Sequence, residues 1–257
     1  MNVLNKASSI ILFPVYYTIH HNIFFGFFHK YFVKKFFYKN FIFNLKNFDI
    51  PLANYSSFLF KTYEYNDKTL VEKNITNKNK CIIIGGGLGF IATICFHLSR
   101  NKILVFEINK KIINPLKENL ELNNCDYEVI SENLTLNKTN DYEDFYLSKN
   151  FLASSKYLKT ENLQKTKNIT TNDIIDFNQY NTLVIDGEGI EEHFIKNLDK
   201  ITNIKYIMFE FHHNILSNDE KNNLFNILKK NNFELISKCF NSYYFAKKKN
   251  KLIRYIK

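Results

Sequence analysis

Three stretches of this chain carry residue types at spacings that can do chemistry. The first is Gly85-Gly86-Gly87-Leu88-Gly89, directly after the apolar run Cys81–Ile84. Glycines there let the chain turn tightly and let a ligand lie against the backbone without Cβ obstruction. Gly85, Gly87 and Gly89 make a GxGxG spacing, whereas a dinucleotide fingerprint wants its third glycine where Phe90 stands. Glu107, 18 residues past Gly89, ends a second apolar run with Ile108 beside it. A carboxylate at such a strand end accepts hydrogen bonds from both ribose hydroxyls of a nucleoside. Alone, a glycine turn also serves packing. With Glu107 it forms a nucleoside site, and Gly85, Gly87, Gly89, Glu107 and Ile108 are the candidate cofactor contacts. No Lys-Ser or Lys-Thr follows the glycines, so the phosphate cradle of a P-loop is missing, and a cofactor without phosphates fits better.

The second stretch, Leu183 to Glu191, is an apolar run ending in Asp186 and Glu188. Ligands in open α/β sheets sit beyond the strand carboxyl ends, so these acids should face the same crevice as the glycines. Two carboxylates this close can share a proton, bind a cation or hold a substrate hydroxyl. Glu188 also reads as a turn or helix-cap residue, and Glu191 and Glu192 as first-turn acids complementing a helix dipole. The third stretch is Phe209-Glu210-Phe211-His212-His213. Glu210 and His212 alternate, so in a strand they point the same way. A histidine there can deprotonate an alcohol, although a lone histidine is more often structural. Asp186, Glu188 and His212 are therefore the candidate catalytic residues. Asp186, Glu188, Glu210 and His212 could also ligate a divalent cation, but no known spacing demands one, and the sequence reading assigns no metal.

Elements that alternate regularly must position these groups. Cys81–Ile84, Ile103 to Glu107, Tyr127 to Ser131, Thr182 to Asp186 and Ile204 to Glu210 read as buried strands. Leu88 to Ser99, Asn109 to Asn123, Ile190 to Leu198 and Glu220 to Asn231 read as helices between them, and a helix through Lys68 to Ile75 precedes them. Phe233 to Ser237 and Tyr243 to Lys247 flank Asn241-Ser242 as an antiparallel hairpin. Residues 132–172 are polar and irregular, which predicts loops with a short hairpin. This alternation implies an α/β fold, a mostly parallel sheet covered on both faces with a hairpin at one edge. Residues 22–46 set lysines among phenylalanines in the pattern of a basic amphipathic helix, either packed on the domain or touching a membrane surface.

Charge and cysteine content narrow the partners. The net charge of +10 sits in the ends: residues 1–50 carry +5, residues 246–257 carry +6, and the middle carries −1. A nearly neutral middle argues against nucleic acid as a partner. Four scattered cysteines without CxxC spacing argue against zinc and disulfides and fit a reducing compartment. The apolar run from Ile10 to Phe28 is interrupted by Pro14, Thr18, His20, His21 and Asn22, so a membrane-spanning helix is not expected. The start of the chain is a weak leader candidate, and the expected location is the cytoplasm, with peripheral contact to the inner membrane face through residues 1–60.

Several stretches, taken in order, resemble the FkbM family of S-adenosylmethionine-dependent methyltransferases. They are Thr62-Tyr63-Glu64 with Leu70-Val71-Glu72-Lys73; Ile82 to Phe90; Phe145 to Ser148 with Phe151 to Ser155; Ile185 to Glu191; and Phe209 to His212. The resemblance covers about residues 60–247, and it is the order of the motifs, more than any one, that carries it. It implies the class I methyltransferase fold with a seven-stranded sheet, S-adenosylmethionine as cofactor, and O-methylation of a sugar, glycan or secondary metabolite. The division that follows is an aromatic and basic extension at 1–60, the methyltransferase domain at 61–250 and a basic tail at 251–257. Two departures stand out: Ile83 occupies the position of an acid before the first glycine, and Gly187 replaces a β-branched residue. They favour a second reading, a methyltransferase-like domain acting as a membrane- or glycan-assembly-associated binding module. A nicotinamide-dependent reductase is opposed by Phe90 and by the lack of a Tyr-x-x-x-Lys pair after the fourth strand.

Overall fold

The computed structural model describes residues 23–137, 140–146, 163–187, 190–212 and 217–248. The leader candidate up to residue 17, Glu188, His213, the motif residues 147–155 and the tail at 251–257 lie outside the described residues.

The first described element is a short helix, α1 (Ile23–Phe28), continuing into a π-helical turn at His29–Val33. Lys34, left-handed at φ 56°, ends it. The expected amphipathic helix through residue 46 is not formed. β1 (Lys35–Tyr38) pairs antiparallel with β2 (Phe41–Asn44) instead. The reason is a period of two over Lys35-Phe36-Phe37-Tyr38: Phe36 and Tyr38 are buried, while Lys35 and Phe37 face solvent. α2 (Tyr55–Leu59) and α3 (Tyr65–Asn74) follow, the latter answering the helix expected near Lys68 to Ile75.

The alternating region then forms as the sequence reading expects. β3 (Cys81–Ile84), α4 (Phe90–Ser99), β4 (Ile103–Phe106), α5 (Ile113–Leu122) and β5 (Tyr127–Ile130) come in turn. The region expected to be mostly loop contains β6 (Asn133–Leu134), β7 (Tyr142–Tyr146) and β8 (Leu163–Ile169), with β7 and β8 antiparallel. β9 (Thr182–Ile185), α6 (Glu191–Lys196), β10 (Tyr206–Glu210) and α7 (Asn218–Lys230) precede the terminal hairpin of β11 (Phe233–Cys239) and β12 (Ser242–Lys247).

The central sheet has seven strands in the order β11-β12-β10-β9-β3-β4-β5. β5, β4, β3, β9 and β10 run parallel, and β12 is antiparallel to both β10 and β11. This is the class I methyltransferase arrangement of an α/β Rossmann-like sheet. The chain leaves β3 toward β4 on one side and returns on the other as β9, so a topological switch point falls between β3 and β9.

Residues alternate between the two faces of that sheet. Ile83, Val105 and Val184 join one buried layer, and Ile82, Ile84, Leu104, Leu183 and Ile185 join the other. The first layer is closed by aromatic rings from the N-terminal hairpin. Phe36 lies 5.1 Å from Phe90 and 5.3 Å from Phe58, centroid to centroid. The hairpin is also tied to α5 by amides one helical turn apart. Asn119 and Asn123 accept from the N–H groups of Asn44 and Ile42 and donate to their carbonyls, giving the hairpin edge the pairing a further strand would supply. Among the described residues, no helix is long and apolar enough to cross a membrane.

Candidate active site

The glycine loop sits at the switch point, and its conformation explains its composition. Gly85 has φ +92°, and a Cβ there would stand 2.1 Å from the Asp186 carbonyl oxygen, so the ends of β3 and β9 meet too closely for any side chain. Gly87 has φ +49°, and a Cβ on it would do no more than touch the Tyr63 hydroxyl oxygen at 3.9 Å, so this glycine serves the left-handed turn and leaves the loop backbone bare. The missing side chain of Gly89 faces Leu116 and Leu120, so that glycine serves the packing of α5 against the loop.

Glu107 is buried immediately beside this loop. Its Oε2 accepts from the Gly87 N–H at 2.9 Å and its Oε1 from the Asn109 N–H at 2.8 Å. Burial raises its pKa, against the opposing effect of the Asn109, Gly87 and Gly86 N–H groups. An ionised carboxylate has about four acceptor positions, so these three N–H groups leave one open for a ribose hydroxyl. Ile108 is half-buried, and its carbonyl accepts from the Gln164 side chain of β8.

Across the switch point the chemistry changes from backbone to side chains. Asp186 follows β9, Glu210 ends β10, and His212 lies two residues beyond it. The His212 Nε2 stands 3.7 Å from Asp186 Oδ1 and 3.9 Å from Glu210 Oε2. Its Nδ1 lies 3.1 Å from Oε1 of Glu191, whose side chain is 0% exposed. Burial alone lowers the basicity of His212. The Glu191 hydrogen bond and the charges of Asp186, Glu191 and Glu210 outweigh it and raise the pKa to about 10. Asp186 is raised, chiefly by burial.

A third group enters from the start of α3. Glu64 is held left-handed at φ 44°, a conformation that costs a residue with a side chain about 1–3 kcal/mol. Burial, and then the Asp186 charge, push its carboxyl up to about 8. Tyr63 and Asp67 are buried, the Tyr63 hydroxyl shares a hydrogen bond with the neighbouring Glu64 carboxyl, and Asp67 Oδ1 has no hydrogen-bond partner among the described residues. Tyr63 is kept there by the aromatic layer, 4.6 Å from Phe58 and 5.7 Å from Phe90.

The structure thus brings Gly85, Gly87, Glu107, Asp186 and His212 to one crevice. Glu188 lies outside the described residues. Sequence reasoning gave Glu191 a dipole role, yet its side chain is buried against His212; Glu192, its neighbour, pairs with Lys196 at 2.5 Å. Tyr63 and Asp67 were not among the candidates, since nothing in their spacing relates them to residues more than a hundred positions away. Glu64 stood in the resemblance as part of a Tyr-Glu segment without a role.

No protein-family profile matches the chain, and no curated protein matches it in sequence. Among solved structures it is similar to the ribosomal protein L11 methylase of Lactobacillus delbrueckii subsp. bulgaricus. That similarity is 12% identity over 71% of this chain and 77% of that one, with a TM-score of 0.45. It is also similar to the precorrin-6y C5,15-methyltransferase of Geobacter metallireducens, at 12% identity over 70% and 83% of the two chains, TM-score 0.42. A third is a SAM-dependent methyltransferase of Aquifex aeolicus, at 12% identity over 70% and 87%, TM-score 0.40. The fold assignment rests on the strand order of the sheet. None of these three structures is described as a member of the FkbM family.

Proposed function

We propose that this chain is an S-adenosylmethionine-dependent methyltransferase of FkbM type that methylates a hydroxyl of a glycan or small molecule. The observation that carries the cofactor is the pairing of Glu107 with the bare loop backbone at Gly87. The residues present fit that group. Gly87 puts no side chain between a nucleoside and the backbone, Glu107 keeps an acceptor position for a ribose hydroxyl, and the Tyr63 hydroxyl stands over the loop. When bound, S-adenosylmethionine supplies an electrophilic methyl group on a sulfonium.

The chain's own residues then position and deprotonate. Asp186 and His212 orient the acceptor hydroxyl, and holding it in line with the methyl group is most of the catalysis. His212 is protonated at neutral pH by the carboxylates around it, so it donates a hydrogen bond, and the acceptor's proton passes to a carboxylate, Asp186 in this reading. Asp186 and Glu210 line the crevice beside the protonated Glu64, and their charge repels a phosphate backbone and supports an uncharged acceptor.

Calorimetry of the purified chain with S-adenosylmethionine tests the cofactor. Binding is expected, and Glu107→Ala should weaken it about ten-fold or more; unchanged affinity would remove Glu107 from the ribose site. The acceptor is sought by mass spectrometry of glycans and lipids from cells with and without the gene, looking for a difference of one methylene.

A second reading keeps the fold without catalysis. Ile83 is buried in the core and offers no carboxylate at the position where the resemblance wants an acid. That observation favours a binding module, and a chain that takes up no S-adenosylmethionine would support it.

A further inference from the structure

The geometry points to a divalent metal ion held by Asp186, Glu210 and His212. β9 and β10 run parallel with Ile185 opposite Phe209, so the residues that follow, Asp186 and Glu210, emerge side by side at the carboxyl end of the sheet. His212 returns toward them from the same strand end. One ligand atom from each of the three lies within 4.8 Å of the others. Atoms bound to one ion at about 2.0–2.4 Å stand roughly 3–4.8 Å apart, so small side-chain adjustments close this set on a cation. Two carboxylates and one imidazole suit Mn2+ and similar ions better than soft, thiolate-seeking metals.

Two further observations support a ligand rather than a self-contained ion pair. The first is how His212 is held. Glu191, fully buried, accepts the Nδ1–H, which leaves Nε2 as the nitrogen facing Asp186 and Glu210, and a cation binding there would replace the Nε2 proton, released to solvent. A ligating histidine almost always gives its second nitrogen to a carboxylate, a backbone carbonyl or a water, which fixes both tautomer and ring orientation. The second is Asp67. It is 2% exposed, its carboxyl draws on the Ser242 hydroxyl while its Oδ1 has no hydrogen-bond partner among the described residues, and it lies close enough to Asp186 and Glu210 for their charges to act on it. A buried carboxylate oxygen left without a partner is costly, and a dication beside it offsets that cost directly or through a bound water.

The metal site stands on these residues alone and does not depend on the methyl-transfer reading. Where that reading also holds, an ion here would take the acceptor oxygen and ease its deprotonation.

The test uses the full chain, treated with chelator and then titrated with MnCl2 while free Mn2+ is followed by electron paramagnetic resonance. The expected result is one Mn2+ per chain, with a directly bound imidazole nitrogen in the spin-echo modulation of the wild type. His212→Gln and Glu210→Gln should each weaken binding about ten-fold or more. Glu128→Gln, on the exposed surface pair with Lys102, should leave it unchanged. The inference is overturned if the wild type binds no Mn2+, if bound Mn2+ shows no imidazole nitrogen, or if a folded His212→Gln chain binds as the wild type does. The nitrogen signal belongs to the wild type, so a misfolded variant cannot obscure the outcome. S-adenosylmethionine binding is measured separately with chelator present, so either reading can fail without the other.

Discussion

The two halves of the crevice are built from different materials. On the β3–β4 side, recognition is made by the backbone: three positive-φ glycines, an absent Cβ, and N–H groups that converge on one carboxylate. On the β9–β10 side, and at the start of α3, it is made by ionisable side chains packed close enough to change one another's proton affinity. A half made of conformation tolerates no added atoms. A half made of charge tolerates isosteric change in shape but answers to pH and to cations. The difference predicts how each will fail.

The largest effect belongs to the first half. Gly85→Ala places a Cβ 2.1 Å from a backbone oxygen at φ +92°, and neither neighbour is a flexible side-chain end. The variant should lose more than about 4 kcal/mol of stability, read by denaturant unfolding. A loss below about 1 kcal/mol would show that the ends of β3 and β9 are free to part.

His212→Ala sharpens the contrast. Turnover of S-adenosylmethionine should fall about 100-fold while cofactor affinity moves less than about two-fold. Equal losses in both would place His212 in the cofactor half, and wild-type turnover would remove it from the site.

The smallest effect is a pH dependence set mainly by the second half, since Glu107 in the first half is raised by burial as well. His212 is raised from 6.5 to about 10, so its stabilisation is complete below about pH 6.5 and lost as pH rises through 10. Glu64 is raised from 4.5 to about 8, so the native state also holds its proton longer than the unfolded chain does. Both groups bind more protons when folded, and stability must therefore fall as pH rises from about 4.5 to 10. With chelator present, the melting temperature should be lower at about pH 9 than at pH 6, and Glu64→Gln should flatten that slope. A Glu64→Gln chain with the wild-type slope would show that Glu64 does not share the field of Asp186.

The amino-acid sequence by itself determined the alternating core and the glycine half of the site. Strand, turn and helix follow one another within about thirty residues there, so their periods and glycines are readable locally. Gly87 and Glu107 are also neighbours through adjacent parallel strands, a relation the order of elements already implies. It left two matters to the tertiary structure. The aromatic segment through residue 46 satisfies a helical and a strand pattern alike. Contact with Phe90 and with the amides of Asn119 and Asn123 decided for a hairpin over Lys35 to Asn44. The charged half was undecided for a related reason. Glu64 and Asp67 at the start of α3, Glu191 in α6 and His212 beyond β10 come from three separate segments, and a side chain's proton affinity depends on which charges stand beside it. That is set by how the sheet and α3 close together and not by any spacing along the chain.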